Sequence, residues 1–207
     1  MRRFLLLAHR VPVSGGFTLN DLAGGAGRMD EIARSVSTAF TLSNDLRRDT
    51  EVTILFVAEP PPAARKIELV GARLRYLNPD ERSTAALLKN ALVRAVQFPR
   101  ELEASPGLRV SSCDPAIDLR AFLARPGAVW LTESGRPLAG YDGPTEEFGA
   151  VVSDPYEPSE SEVALLTGSG VPQLSVGPRS LRTSQVVDAA HHELDLREAA
   201  RSVPPDR

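Results

Sequence analysis

Carboxylates and guanidiniums crowd three short stretches of this chain: GGAGRMD at 24–30, SNDLRRD at 43–49 and NPDER at 78–82. Asp30, Asp45 and Asp80 could take up a proton, and Arg28, Arg47, Arg48 and Arg82 could hold an anion or polarise a reacting atom. A fourth stretch, VGPRSL at 176–181, adds backbone donors and another arginine. Each alone is an ordinary turn or helix start. Four of them at strand ends or helix starts, where open α/β sheets bind ligands, make a candidate site.

No generic catalytic signature accompanies them; GxGxxG, the P-loop and GxSxG are all absent. His9 reads as a strand-end residue with a satisfied hydrogen bond. His191 and His192 are adjacent, and adjacent side chains diverge on a helix, so they are not expected to chelate together. The single cysteine, Cys113, excludes an internal disulfide and a Cys-rich zinc site, so no metal is expected.

NPDER also has a purely structural reading. Asn78 can cap a helix, Pro79 suits its first position, and Glu81 completes an approximate capping box. Asp80 and Glu81 oppose the positive end of the helix dipole. Ala85, Leu88, Leu92 and Ala95 then recur at helical spacing. Arg82, Ser83 and Thr84 remain without a local reason.

The elements around these stretches alternate. Apolar runs at Phe4–Ala8, Val52–Ala58, Ala128–Leu131 and Gly149–Ser153 read as buried strands, with KIELV, LRVSS and VPQLSV as further strands. Helical patterns fall at Gly27–Ser43, Asp80–Val96, Ile117–Ala124, Ser159–Leu166 and Leu181–Leu194. EPPPAAR is a loop, since prolines cannot extend a central strand, and FPRELEASPG is a break. This predicts one α/β domain over 1–195 with a mainly parallel sheet, and a disordered tail over 196–207.

The chain has 207 residues, 42% hydrophobic and 25% charged, with a net charge of −3. That is the composition of a soluble globular protein without a global basic field. No stretch reaches the roughly 20 apolar residues of a membrane span, and a cytoplasmic protein is expected.

Over nearly the whole chain, the order and spacing of GGAGRMD, LSNDLRRD, LNPDERSTAALLKNAL and SPG resemble the archaeal tRNA (pseudouridine-54-N1)-methyltransferase family (TrmY), a branch of the SPOUT methyltransferases. The resemblance implies a homodimer, a C-terminal trefoil knot and S-adenosylmethionine as cofactor. It assigns cofactor binding to Leu131, Ser153, Val176, Gly177, Pro178, Arg179, Ser180, Leu181 and Val186. The clustered polar motifs then become a substrate rim, with Asp45, Arg48, Asp80 and Arg82 as catalytic candidates and Arg28, Asp30 and Arg47 as substrate-binding ones.

Two segments depart from the family pattern. VSSCDPAI (110–117) lacks the usual basic residues, and Arg182 and Gln185 stand where histidines are common. The acceptor is therefore open at this stage: pseudouridine in tRNA, another RNA or a nucleoside-like small molecule, or no acceptor at all in a non-catalytic homologue that binds RNA or a partner.

Overall fold

The computed structural model describes residues 1–57, 64–98 and 101–202. RRFLLLA is buried along its whole length and forms the strand β1 (Arg2–Ala8). Alternation along it feeds two cores: Phe4 and Leu6 face one side, Leu5 and Leu7 the other. The helix α1 (Met29–Phe40) follows, then β2 (Thr50–Phe56), β3 (Arg65–Val70) and α2 (Glu81–Gln97). Next come β4 (Leu102–Ser105), β5 (Leu108–Ser112), α3 (Pro115–Leu123) and β6 (Ala128–Pro137). The chain closes with β7 (Phe148–Ser153), α4 (Glu160–Gly168), β8 (Gln173–Ser175) and α5 (Thr183–Ser202).

These strands make one sheet in the order β4-β5-β3-β2-β1-β7-β6-β8. β2, β1, β7, β6 and β8 pair in parallel, whereas β3, β5 and β4 form an antiparallel edge. Ile32, Val36 and Phe40 of α1, Leu88 and Leu92 of α2, and Val187 and Ala190 of α5 cover one face together with Phe4, Leu6 and Ile54. Leu119 and Phe122 of α3 and Leu166 of α4 cover the other, against Leu5, Leu7, Leu55 and Val151. Each of these side chains except Ala190 stabilises the fold by about 1.5–3 kcal/mol on burial.

Several expectations are corrected. The cap of α2 is Asp80, not Asn78: the Ser83 amide donates to Asp80 Oδ1 at 2.8 Å. Asn78 instead offers its carbonyl to Thr84 Oγ1 at 3.1 Å, so Ser83 and Thr84 both have local structural reasons. The strand at AVWL continues to Pro137 through a polar stretch expected as turn, because β8 pairs along its outer side and shifts register between Leu131 and Arg136. At that shift a side chain on Gly135 would meet the Leu174 backbone at 2.4 Å, so only glycine fits. Part of the break at 98–107 is the edge strand β4. The expected loose tail is also shorter, since 196–202 are the last turns of α5. The EPPP run and residues 203–207 lie outside the described residues.

Register defines two ends of the parallel region. Ala8 pairs with Phe56 and Leu7 with Ser153, while Arg2 pairs with Thr50 and Phe148. Loops after β1, β7 and β8 therefore gather at one end, and the 41–49 loop lies at the other, where Arg2 N donates to Asp49 O at 2.8 Å.

Candidate functional site

Between the middle of β6 and the carboxyl ends of β7 and β8 lies a cavity of about 730 Å³, within the roughly 300–1,000 Å³ range of small-molecule sites. Three segments line it: 130–134 from β6, 152–158 from β7 onward, and the connection from Ser175 to Thr183. Val186 and Arg28 complete the wall. Of the nine cofactor candidates, all but Pro178 contribute lining: Leu131, Ser153, Val176, Gly177, Arg179, Ser180, Leu181 and Val186.

The connection between β8 and α5 is held at both ends. Gly177 N donates to Ser175 Oγ at 3.2 Å, and the Ser180 hydroxyl donates to Glu133. Thr183 Oγ1 donates to Ser153 O at 2.6 Å. Ser184 N and Oγ both donate to Glu31 Oε1, at 2.8 and 2.7 Å, and Glu31 is completely buried. The first turn of α5 is thus anchored to α1, which leaves the loop between as a preformed bracket of backbone groups.

The residues fit S-adenosylmethionine. Leu131, Val152, Val186 and Trp130 supply apolar surface for a purine, while the 176–181 backbone supplies donors and acceptors for polar parts. Among the described residues no cluster of His, Cys, Asp and Glu could hold a metal ion, and no helix is long and apolar enough to cross a membrane.

Arg28 is the one substrate-side candidate on the cavity wall. Its φ of 70° makes it the only non-glycine residue with positive φ among the described residues. The preceding Gly27 is equally constrained, since a Cβ there would lie 1.9 Å from Arg10 O. Asp30 grips the Arg28 guanidinium from Nε and Nη2 at 2.9 and 3.1 Å, and Arg34 binds the same carboxylate at 3.0 Å. Burial would raise the Asp30 pKa, but Arg28 and Arg34 overcome it and hold the carboxyl below its usual range. Strained backbone of this kind concentrates at functional sites.

The remaining candidates do not line the cavity. Arg47 forms a fork with Asp195 at 3.0 and 2.6 Å, and Arg2 shares that carboxylate at 2.6 Å. Arg48 donates to Leu74 O at 2.8 Å and to Asp45 Oδ1 at 2.9 Å, at the end of the sheet opposite the cavity. Asp45 is held below its usual range first by the Leu46 amide and then by Arg48. Arg82 donates to Leu19 O at 2.8 Å and Asn20 Oδ1 at 3.1 Å, tying the N-terminus of α2 to the 19–20 loop. The departing segment 110–117 is likewise off the cavity, and burial pushes the Cys113 thiol up to about 12.

Sequence reasoning missed the acidic half of the wall: Glu133, Asp154 and Glu157, with Tyr156 between them. DPYEPSESE directly after an apolar strand carried the signal, since a strand's carboxyl end is where an α/β ligand site is built. His9 does have the hydrogen bonding expected of it, to Asp154 and Glu162. His191 also differs from a ligand: its Nε2 donates to Ala39 O at 3.1 Å, and Nδ1 faces Arg2 at 3.0 Å.

Comparison with known proteins agrees with this geometry. A chain from Methanosarcina acetivorans named tRNA (pseudouridine(54)-N(1))-methyltransferase is 38% identical over 205 residues, 99% of this chain and 96% of its own. One of the same name from Methanocella arvoryzae is 38% identical over 197 residues, covering 95% of this chain and 100% of its own. The crystal structure of Archaeoglobus fulgidus Nep1 bound to S-adenosylhomocysteine has the same fold, with a TM-score of 0.63 at 12% identity over 96% of this chain and 98% of that one. A family model described as "Putative SAM-dependent RNA methyltransferase" matches residues 1–199, and the chain belongs to that family.

Proposed function

We propose that this chain is an S-adenosylmethionine-dependent N-methyltransferase that methylates N1 of pseudouridine in tRNA, acting as a cytoplasmic homodimer. The observation that carries this is the cavity between the middle of β6 and the carboxyl ends of β7 and β8, walled by the 131, 153 and 176–181 segments with Arg28 on its edge. The relatives' shared name supplies the acceptor.

The bound cofactor supplies an electrophilic methyl group. Leu131, Val186 and the backbone of 176–181 hold it, and the anchored first turn of α5 keeps that bracket from relaxing. Holding the acceptor nitrogen in line with the methyl contributes much of the rate, as in any positioned transfer. Arg28, fixed by Asp30, orients the acceptor base and steadies the charge as its N1 proton passes to solvent; the N1–methyl bond would form as the sulfur–methyl bond breaks, leaving neutral S-adenosylhomocysteine. Asp30 orients this arginine and does not collect the proton. Asp45 and Arg48 lie at the opposite end of the sheet, so a part in catalysis would come from across the homodimer; Arg82 lies off the cavity wall, next to Glu81, whose partner Arg34 shares the Asp30 carboxylate with Arg28. Asp80 caps α2.

The knot is supported by how α5 lies. Arg197 of α5 donates to Tyr141 O at 2.6 Å and also to Leu138 O, both in the β6–β7 connection.

The mouth of the cavity favours RNA over a small heterocycle. Arg179 and Arg182, which line it, have no carboxylate within 4.0 Å among the described residues and are free to meet phosphates beside the acidic part of the wall.

Calorimetry with S-adenosylmethionine, followed by mass spectrometry of tRNA carrying pseudouridine or uridine at the target position, tests this. Micromolar binding and methylation of the pseudouridine form alone are expected. No binding up to millimolar cofactor, or methylation of free nucleosides but not tRNA, overturns it.

A further inference from the structure

The 153–158 wall of the cavity is fastened from behind by a side chain that does not line it. His9 follows β1 directly, and its ring is only 14% exposed. Its Nδ1 lies 2.8 Å from Asp154 Oδ1 and its Nε2 3.0 Å from Glu162 Oε2. The His9 backbone amide also donates to Asp154 Oδ2 at 2.8 Å. A neutral ring can donate to only one carboxylate, so satisfying both requires the imidazolium. Burial alone would lower the pKa of His9, but the hydrogen bonds to Asp154 and Glu162 outweigh it and push the ring up to about 9.

Those two carboxylates are the ends of one segment. Asp154 begins the β7–α4 connection, and Glu162 sits in the first turn of α4, where it accepts from Ser159 N at 2.7 Å and completes the capping box. Pro155, Tyr156, Glu157 and Pro158 between them all face the cavity. Tyr156 is held further by Ser153 Oγ, which donates to its carbonyl at 2.8 Å, and by Arg10, 4.0 Å above its ring. The other oxygen of Glu162, Oε1, is buried with no partner, so Oε2 alone carries the connection to β1.

We propose that His9 is a positioning residue for the cofactor: its imidazolium staples Asp154 to Glu162 and thereby fixes the wall against which S-adenosylmethionine packs. This rests on the cofactor reading of the cavity. Removing the staple leaves Asp154 bonded to backbone amides and Glu162 bonded to Ser159, but nothing links the two. The segment between them then samples conformations that the ligand must select from, and affinity falls by the fraction still competent.

The test is cofactor affinity by calorimetry in His9→Gln and His9→Ala, with melting temperature and steady-state kinetics alongside. Gln carries both of its N–H donors on one nitrogen and cannot span the two carboxylates that Nδ1 and Nε2 reach separately. A rise of about tenfold in Kd, equal to about 1.4 kcal/mol, is expected in both, appearing in KM for the cofactor more than in kcat. Imidazole added to His9→Ala should restore part of the affinity. If the His9 variants do not fold, Glu162→Gln removes the charge of the staple at unchanged size and should raise Kd severalfold. Folded variants with wild-type Kd overturn the proposal, as does imidazole that restores melting temperature but not affinity. Wild-type protein that binds no cofactor refutes the cofactor reading instead, a distinct result.

Discussion

Replacing Arg28 by glycine should separate stability from turnover. Arg28 has a φ of 70° and a ψ of 32°, a left-handed conformation that costs a non-glycine residue roughly 1–2 kcal/mol. Glycine removes that strain but adds unfolded-state entropy worth roughly 0.5–1 kcal/mol. The Arg28–Asp30 pair is partly exposed, with side-chain exposures of 33% and 10%. A pair of this kind contributes at most about 1 kcal/mol, and Arg34 still serves Asp30 when it is lost. These effects nearly cancel, leaving a net change of about 1 kcal/mol or less. For a domain of this size that is about 2–4 °C in melting temperature. Turnover is expected to fall about a hundredfold, because the donor that steadies the acceptor is gone. Lysine at the same place keeps the charge and the strain but loses the planar fork, so it should recover only part of the rate. The assay is methyl transfer to pseudouridine-containing tRNA under saturating cofactor, paired with thermal denaturation. Activity that survives in Arg28→Gly, or activity that declines only in step with the folded fraction, would refute an acceptor-side role.

Other outcomes are expected as well. Asp80→Ala should cost about 1 kcal/mol, the usual worth of an N-cap, and leave the turnover of folded protein intact; a large fall in kcat would return Asp80 to the active centre. Asp45→Ala should lower turnover of the dimer more than it lowers melting temperature, whereas equal losses would make it a turn residue. Arg182→Gln should weaken tRNA binding and reduce the slope of log K against log salt by about 1, and an unchanged slope would take this arginine off the RNA path. Stability should peak near pH 6.5. The folded pKa of His9 is raised, so its contribution is complete below about 6.5 and lost as pH rises through about 9. That of His191 is pushed down to about 3 by burial, Arg47 and Arg2, so stability falls as pH drops below about 6.5. Denaturation midpoints from pH 4 to 10 would show it, and His9→Gln should flatten the alkaline limb only.

Much of the fold could be read from the residues because burial is written into local pattern. β1, β2 and β7 are apolar runs buried on both faces, and α1 and α4 carry their periodicity or capping box in plain order. Strands at the edges escaped for the opposite reason. β4 and the 132–137 part of β6 are polar because only one side of each is paired, and nothing in their composition separates them from turns. The cap of α2 is expected at Asn78 but is Asp80, since both side chains can accept from an amide two or three residues on and local sequence does not rank them. Cofactor loops were placed by resemblance, and the cavity brings all but Pro178 of them together. The staple could not be read at all: Asp154 and Glu162 are 145 and 153 residues from His9, and only the β1–β7 register makes them neighbours.

The two buried histidines show how position along one strand decides chemistry. His9 lies past the carboxyl end of β1 and meets two carboxylates; His191 packs beside the amino end of β1, against Phe4, and meets two arginines. The same ring is therefore charged at one end of the sheet and neutral at the other. At the neutral end Arg2 and Arg47 converge on Asp195, and the cluster is closed to any ligand by its own pairing. At the charged end the pairing is turned inward, behind the 154–158 wall, while Arg10, Arg179 and Arg182 have no carboxylate partners among the described residues. Asp154 and Glu162 are thus held by an imidazolium the solvent barely reaches, while Glu133 and Glu157 stay on the cavity wall. A chain of net charge −3 can in this way keep two of its carboxylates from opposing Arg179 and Arg182 beside the cavity.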